Sequence, residues 1–264
     1  MMRALWTAST GMLAQQLYVD TISNNIANVN SIGFKKNRVE FKDLLYETLE
    51  RGLVKDGQGK PVNLQVGHGV KVSATTKFFT PGSMEITSNS YDLAIDGAGF
   101  FKITGANGEE LYTKDGSFKI SADGENLKLV TAEGYFVQSS NGDIDLGSNV
   151  KDVIIDESGL ITVNRTDGTM EEIGTMAIAT FVNPAGLESI GKNLFKTSLT
   201  SGEAFDASED GSGGGILQGY LETSNVQVVE EMVKLIQAQR AYEINSKSIQ
   251  TADDMLGMAN NLRR

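Results

Sequence analysis

Catalysis, cofactor binding and metal binding each need particular side chains at particular spacings, and a few places in this sequence approach such a pattern. Gly186-Leu187-Glu188-Ser189-Ile190-Gly191-Lys192-Asn193 follows a phosphate-binding loop up to its last position. There Asn193 replaces the Ser or Thr whose hydroxyl would hold magnesium. Such a loop must also open a helix, whose N-terminus supplies N–H donors. Here Leu194-Phe195-Lys196-Thr197 reads instead as a strand. Asp206 to Gly211 begins like a calcium loop, but its twelfth position is Leu217 where a bidentate Glu is needed, so a solvated acidic linker fits better. His68 is the sole histidine and cysteine is absent, which leaves neither a second imidazole nor a thiolate for zinc. No Gly-x-Ser-x-Gly elbow offers His68 a serine partner, and between Gly67 and Gly69 it reads as a turn residue. Asp92 and Asp96, four residues apart on an extended segment, could pair as hydrolytic carboxylates, though acids beside strands and turns are ordinary in an acidic chain. Asp253 and Asp254 are adjacent on a helix and diverge. The expectation is a chain without catalytic residues, metal ligands or cofactor.

The elements that would have to position such groups fall into three textures. Residues 1–33 contain no proline and read as a helix. Leu5, Met12, Val19 and Ile26 recur every seven residues, and Arg3 and Asp20 are the only charged side chains. A helix without Lys and Glu on its polar face suits surroundings of protein more than water. Residues 224–264 read as a second helix, with Val228, Leu235, Tyr242, Ile249 and Leu256 at the same period. Ala238, Ala252 and Ala259 lie three positions after members of that stripe. Ser224 or Asn225 is the expected cap, with Glu230 and Glu231 in the favourable first turns. These nine stripe residues are the expected assembly interface, with the two helices pairing as a coiled coil and meeting neighbouring subunits.

Residues 66–205 alternate short apolar runs with turn signals such as Asn107-Gly108, Asp115-Gly116, Asp123-Gly124, Asn141-Gly142 and Asp167-Gly168. The fold class expected is therefore α+β: long terminal helices (1–33 and 224–264), a mostly-β domain (66–205) inserted between them, and connecting segments (34–65, with an extended loop, and 206–223). The net charge of −11 disfavours nucleic acid as a partner, and no apolar run reaches the roughly 20 residues of a membrane span, so no membrane insertion is expected. Nor does a secretory signal show, because the apolar run after Arg3 is only Ala4, Leu5 and Trp6.

The first helix ends in Asn24-Asn25-Ile26-Ala27-Asn28-Val29-Asn30-Ser31-Ile32-Gly33-Phe34-Lys35, which resembles the signature of the bacterial flagellar rod and hook family, with Ile32 where a polar residue is usual. Asn28, Gly33, Phe34 and Lys35 carry that signature. Gly11-Met12-Leu13-Ala14-Gln15-Gln16, Val66-Gly67-His68-Gly69-Val70, Asp96-Gly97-Ala98-Gly99-Phe100-Phe101, Gly191-Lys192-Asn193-Leu194-Phe195 and the run from Leu217 to Leu262 are similar to the same family, so the resemblance spans nearly the whole chain. It implies a structural subunit of the distal part of the rod that assembles helically into a hollow, rigid shaft. That shaft carries torque from motor to hook and conducts exported subunits. The implied partners are further copies of this chain, proximal-rod and hook subunits or their junction, the type III export gate, and bushing rings where an outer membrane exists. The implied place is the basal body outside the cytoplasm, in periplasm or cell wall, reached through the flagellar channel without a cleaved signal. Phe41 and Leu45 fit an aromatic–three–aliphatic pattern like the family's export-gate motif. Residues 46–63 correspond to a segment associated with rod straightness. A proximal-rod subunit is the alternative within the family, and a secreted peptidoglycan-active enzyme the alternative outside it.

Overall fold

The structure, a computed structural model, describes all residues except 1, 51–53, 56–57, 60–62, 106–107, 124–125, 141, 208–213 and 262–264. The turn positions Asn107, Gly124 and Asn141, most of the calcium-loop lookalike and much of the 46–63 segment thus lie outside the described residues. The α+β architecture expected from the sequence is present: a helix at each end of the chain and a large β region between them. By its contacts the chain forms two compact units, one of residues 1–27, 37–77 and 227–264, the other of residues 28–36 and 78–226.

The first unit holds α1 (Met2–Ala27) and α2 (Val228–Asn261), packed along one another, together with a segmented β-hairpin. Its strands are β1 (Asn37–Asp43), β2 (Tyr46–Glu50), β3 (Val54–Lys55), β4 (Gln58–Gly59), β5 (Leu64–Gly67) and β6 (Val70–Lys77). They pair antiparallel in nested order, β1 with β6, β2 with β5 and β3 with β4, so the chain from 37 to 77 goes out and comes back along itself. Bulges between Glu40 and Phe41 and between Thr48 and Glu50 break the ladder and sharpen its local twist. The base of the hairpin packs on α1, where Val39 is buried.

Both helices are shorter than the sequence suggested. In α1 the run Asn28-Val29-Asn30-Ser31 offers side-chain oxygens that compete with helical hydrogen bonds, and the helix stops at Ala27. At the other end Asn225 does not serve as a cap. Its Oδ1 accepts the Lys36 N–H at 2.8 Å and its amide donates to the Phe78 carbonyl at 2.9 Å, and α2 begins only at Val228.

In the second unit an 11-stranded antiparallel sheet, counted among the described residues, follows the main path Lys119–Asp123, Asn126–Val130, Phe136–Ser139, Phe100–Thr104, Glu110–Thr113, Leu194–Lys196, Glu188–Gly191. Strand alternation sends adjacent residues to opposite faces. Phe101 and Ile103 enter the main core with Leu93, Ile95, Phe118, Val137, Ile161, Val163 and Ile216. Phe100 faces the other way, into an aromatic cluster with Tyr112, Phe181, Phe195 and Phe79 whose rings meet edge to face at 4.9–5.8 Å. Asp115-Gly116 is not the tight turn expected of it. Gly116 does not take the left-handed conformation, and it is glycine because a Cβ there would lie 1.6 Å from the Leu93 carbonyl oxygen. A ribbon of Met84–Ile86 with Tyr220–Glu222 lies off the large sheet.

Candidate assembly surface

The described residues contain no group of three or more metal-binding side chains. The phosphate-loop lookalike is the hairpin joining strands Glu188–Gly191 and Leu194–Lys196. Lys192 and Asn193 both take positive φ, 53° and 57°, the backbone of a tight turn. The Asn193 side chain donates to the Ile32 carbonyl at 2.8 Å. Asp92 is buried and accepts from the Asn89 amide, whereas Asp96 is exposed, so the two do not form a carboxylate pair. His68 is half exposed. Its Nδ1 lies 3.1 Å from the Leu45 carbonyl and its Nε2 4.0 Å from Glu47, which also holds Arg3. An open cleft of about 790 Å³ is lined by Lys102, Glu110, Tyr112 and the segment from Thr197 to Asp206. Lys102 and Glu110 pair across it at 2.8 Å. Burial, with Glu110 beside it, raises the Tyr112 phenol to about 12, which keeps it protonated and useless as a base.

The features that can hold another protein are on the helices. Their shared seam is built mostly from small and polar residues, with Ile22 the one large apolar member: Ala8, Ala14, Ile22 and Asn25 on α1, Glu231, Ala238 and Ala252 on α2, all buried. Small side chains allow close approach. Asn25 adds a fixed polar layer, as its Oδ1 accepts the Asn37 N–H at 2.9 Å and its amide donates to the Asn37 carbonyl at 2.8 Å and to Glu231 at 3.2 Å. Lys234 covers the other Glu231 oxygen at 2.6 Å, and that bond raises the Lys234 pKa.

The stripe residues stand on the flanks of this seam. Leu5, Met12, Val19 and Ile26 are half-buried, as are Leu235, Ile249 and Leu256, while Val228 and Tyr242 are more open at 39% and 43% exposed. A strict seven-residue repeat drifts about 20° per heptad around a straight helix. The α2 stripe is accordingly uneven, more open at Val228 and Tyr242 and half-buried at Leu235, Ile249 and Leu256.

The stripes did not identify the helices' outward faces. On α1 Met2, Trp6, Leu13 and Leu17 are exposed outside the seam, with Trp6 at 68%. On α2 Val229, Val233, Ile236, Ile244, Met255 and Met258 are exposed likewise, with Val229 at 76%. Each helix is thus apolar on more than one side, more apolar surface than one helix partner can cover. A second set of i, i+3, i+4 spacings, Val229-Val233-Ile236 and Met255-Met258, carried this signal in the sequence. Along the hairpin Leu45, Tyr46, Leu49 and Leu64 are exposed as well. Phe41 is partly covered by the Tyr18 ring, 5.7 Å away and edge-on, while Leu45 is 88% exposed.

The signature residues lie in the second unit. Gly33 holds φ +66°, and a Cβ there would meet the Lys114 backbone at 2.7 Å. Phe34 is buried, Lys35 is fully buried against Glu222, and Asn28 accepts the Ser31 N–H in a turn. No helix among the described residues is long and apolar enough to cross a membrane.

Three family models match the chain. Residues 5–35 match a flagella basal body rod protein model, residues 94–163 the D1 domain of flagellar hook protein FlgE/F/G, and residues 217–262 the C-terminal region of flagellar basal body rod FlgEFG proteins. The chain is similar over its full length to flagellar basal-body rod protein FlgG of Borreliella burgdorferi, at 47% identity covering all of both chains. It is 45% identical to FlgG of Caulobacter vibrioides over 99% of this chain and 100% of that one, and 37% identical to FlgG of Bacillus subtilis over 100% of both.

Proposed function

This chain belongs to the FlgG family of flagellar basal-body rod proteins and is a structural subunit of the rod, and we propose that it builds the distal rod by helical self-assembly through its paired terminal helices. The observation that carries this reading is the double apolar character of α1 and α2. One side of each is used within the chain, and the other presents Met2, Trp6, Leu13 and Leu17, or Val229, Val233, Ile236 and Met258, to whatever comes next. Identical copies supply a matching surface at every step, and a rotation that does not close turns such contacts into a helical shaft.

The assembled shaft would be hollow, rigid and continuous with proximal-rod subunits on one side and hook or junction subunits on the other, transmitting torque between them. The low charge of α1 suits a channel wall, since fixed charges would retain a passing unfolded chain of opposite sign. Export through the flagellar channel, without a cleaved signal, would deliver the subunit outside the cytoplasm, with Phe41 and Leu45 meeting the export gate and bushing rings surrounding the shaft where an outer membrane exists. The subunit has no catalytic role in this reading.

Ile236→Asp tests the polymer. Ile236 faces away from the seam, so the monomer's denaturation midpoint should stay within about 0.5 kcal/mol of wild type. Electron microscopy should show filaments from the wild-type protein and none from the variant. Filaments of normal yield from Ile236→Asp would remove this face from the interface.

A further inference from the structure

The second unit seals three charged side chains together. Glu222 ends the strand Tyr220–Glu222 with its side chain 1% exposed. Its Oε1 accepts from Lys35 Nζ and from the Gly82 N–H at 2.8 Å. Its Oε2 accepts no hydrogen bond and lies 3.8 Å from Lys114 Nζ. Lys35 also donates to the Thr80 carbonyl at 2.8 Å. Lys114 donates to the Gly97 carbonyl at 2.9 Å and stands 5.7 Å from the centre of the Phe100 ring. A single carboxylate therefore serves two buried ammonium groups. Apolar side chains of similar volume would fill this space without desolvating three charges, so packing alone does not account for the cluster.

The three charges come from three separate stretches. Lys35 lies in residues 28–36, where the chain first enters this unit, and Glu222 in the strand just before the chain finally leaves it. Lys114 follows strand Glu110–Thr113 of the large sheet. The Tyr220–Glu222 ribbon is hydrogen-bonded to Met84–Ile86 and not to that sheet. We infer that Glu222 is a closure latch that joins residues 28–36 to residues 220–222 after the sheet has formed, and releases them before the sheet opens. Until the carboxylate arrives, Lys35 and Lys114 gain more from water than from burial beside a like charge. When the latch opens, all three charges rehydrate together, which offsets the lost contacts, and the hydrogen bonds of the large sheet are untouched. This inference stands on the geometry of one unit and is independent of the assembly reading.

Native-state hydrogen exchange on the full-length protein tests it. The reporter is the Gly33 amide, which donates to the Glu222 backbone carbonyl at 2.8 Å and keeps that acceptor in side-chain variants. In the wild type, Gly33 should exchange at least about 10-fold faster than the amides of strand Phe100–Thr104. Glu222→Gln should speed Gly33 by about a further 10-fold and leave that strand unchanged. The triple variant Lys35→Met/Lys114→Met/Glu222→Met removes the charge penalty and should slow Gly33 toward the rate of the strand. Equal rates for Gly33 and the strand in the wild type would overturn the inference, as would loss of the sheet in Glu222→Gln. A triple variant in which Gly33 exchanges as fast as in the wild type would also overturn it.

Discussion

Lys114 carries its ammonium group in a place that disfavours charge. Burial lowers its pKa from the ordinary 10.5 to about 8, with Glu222 pulling the other way and Lys35 adding to the depression. The unfolded chain holds this proton to about pH 10.5, the folded chain only to about pH 8. Between those values the unfolded state binds more protons, so this group's contribution to stability grows as pH rises through the window and is absent below it. The urea midpoint of the wild type minus that of Lys114→Met should therefore increase from about pH 8 to about pH 10. A difference that stays flat over that range would show that Lys114 is not desolvated. Asn25 is the second residue whose chemistry is decided locally. Asn25→Ala would strip the Asn37 N–H and carbonyl of their side-chain partners and leave Glu231 with Lys234 alone, at a cost of about 2–4 kcal/mol. Denaturation of the purified variant measures this, and a loss under about 0.5 kcal/mol would mean that water replaces the amide without penalty.

At the scale of the element, α2 separates two substitutions only one residue apart. Leu235 flanks the seam and is half-buried, whereas Ile236 faces outward. Leu235→Asp should weaken the α1–α2 pair itself, by about 2 kcal/mol or more from lost burial and a desolvated carboxylate. Exchange of α1 and α2 amides should then quicken while the strands of the second unit keep their protection, since that unit has its own core. Unchanged exchange in α2 would show that the flank is open to water. Ile236→Asp should give the opposite pattern, an intact helix pair that does not polymerise.

At the scale of the molecule, the hairpin from 37 to 77 raises the question of stiffness. Its base is paired from Asn37 with Lys77 to Asp43 with Val70 and packs on α1, while the stretch beyond exposes Leu45, Tyr46, Leu49 and Leu64. Apolar side chains on an extended two-stranded ribbon have little to cover them within one chain. Deleting residues 46–63 should leave the base ribbon and the helix pair folded, because the only deleted side chain that either uses, among the described residues, is Glu47, in an exposed ion pair with Arg3. Polymers of the shortened protein should still form and should bend, as seen by electron microscopy. Straight shafts from the deletion variant would assign stiffness to another part of the subunit.

Period and composition in the sequence were enough to determine the two helices and the β texture between them. A seven-residue apolar repeat and alternating strands are local patterns, and an absent cysteine or a solitary histidine needs no coordinates. Family membership was also legible, since Asn28, Gly33, Phe34 and Lys35 fall within one stretch of eight residues. Other features depend on residues far apart in the chain. The repeat could not say which side of α2 meets α1, because its members stand on the flank of the seam and the seam itself is made by other residues. Small residues such as Ala238 and Ala252, unremarkable by hydropathy, turn out to be the buried ones. Asn225 looked like a cap and is committed to backbone groups at Lys36 and Phe78. Lys35 and Glu222 are 187 positions apart, and the fold buries both, with Lys114 beside Glu222. Their pairing has no local signal, because burial of a charge depends on which distant groups arrive beside it, and only the tertiary structure decides that.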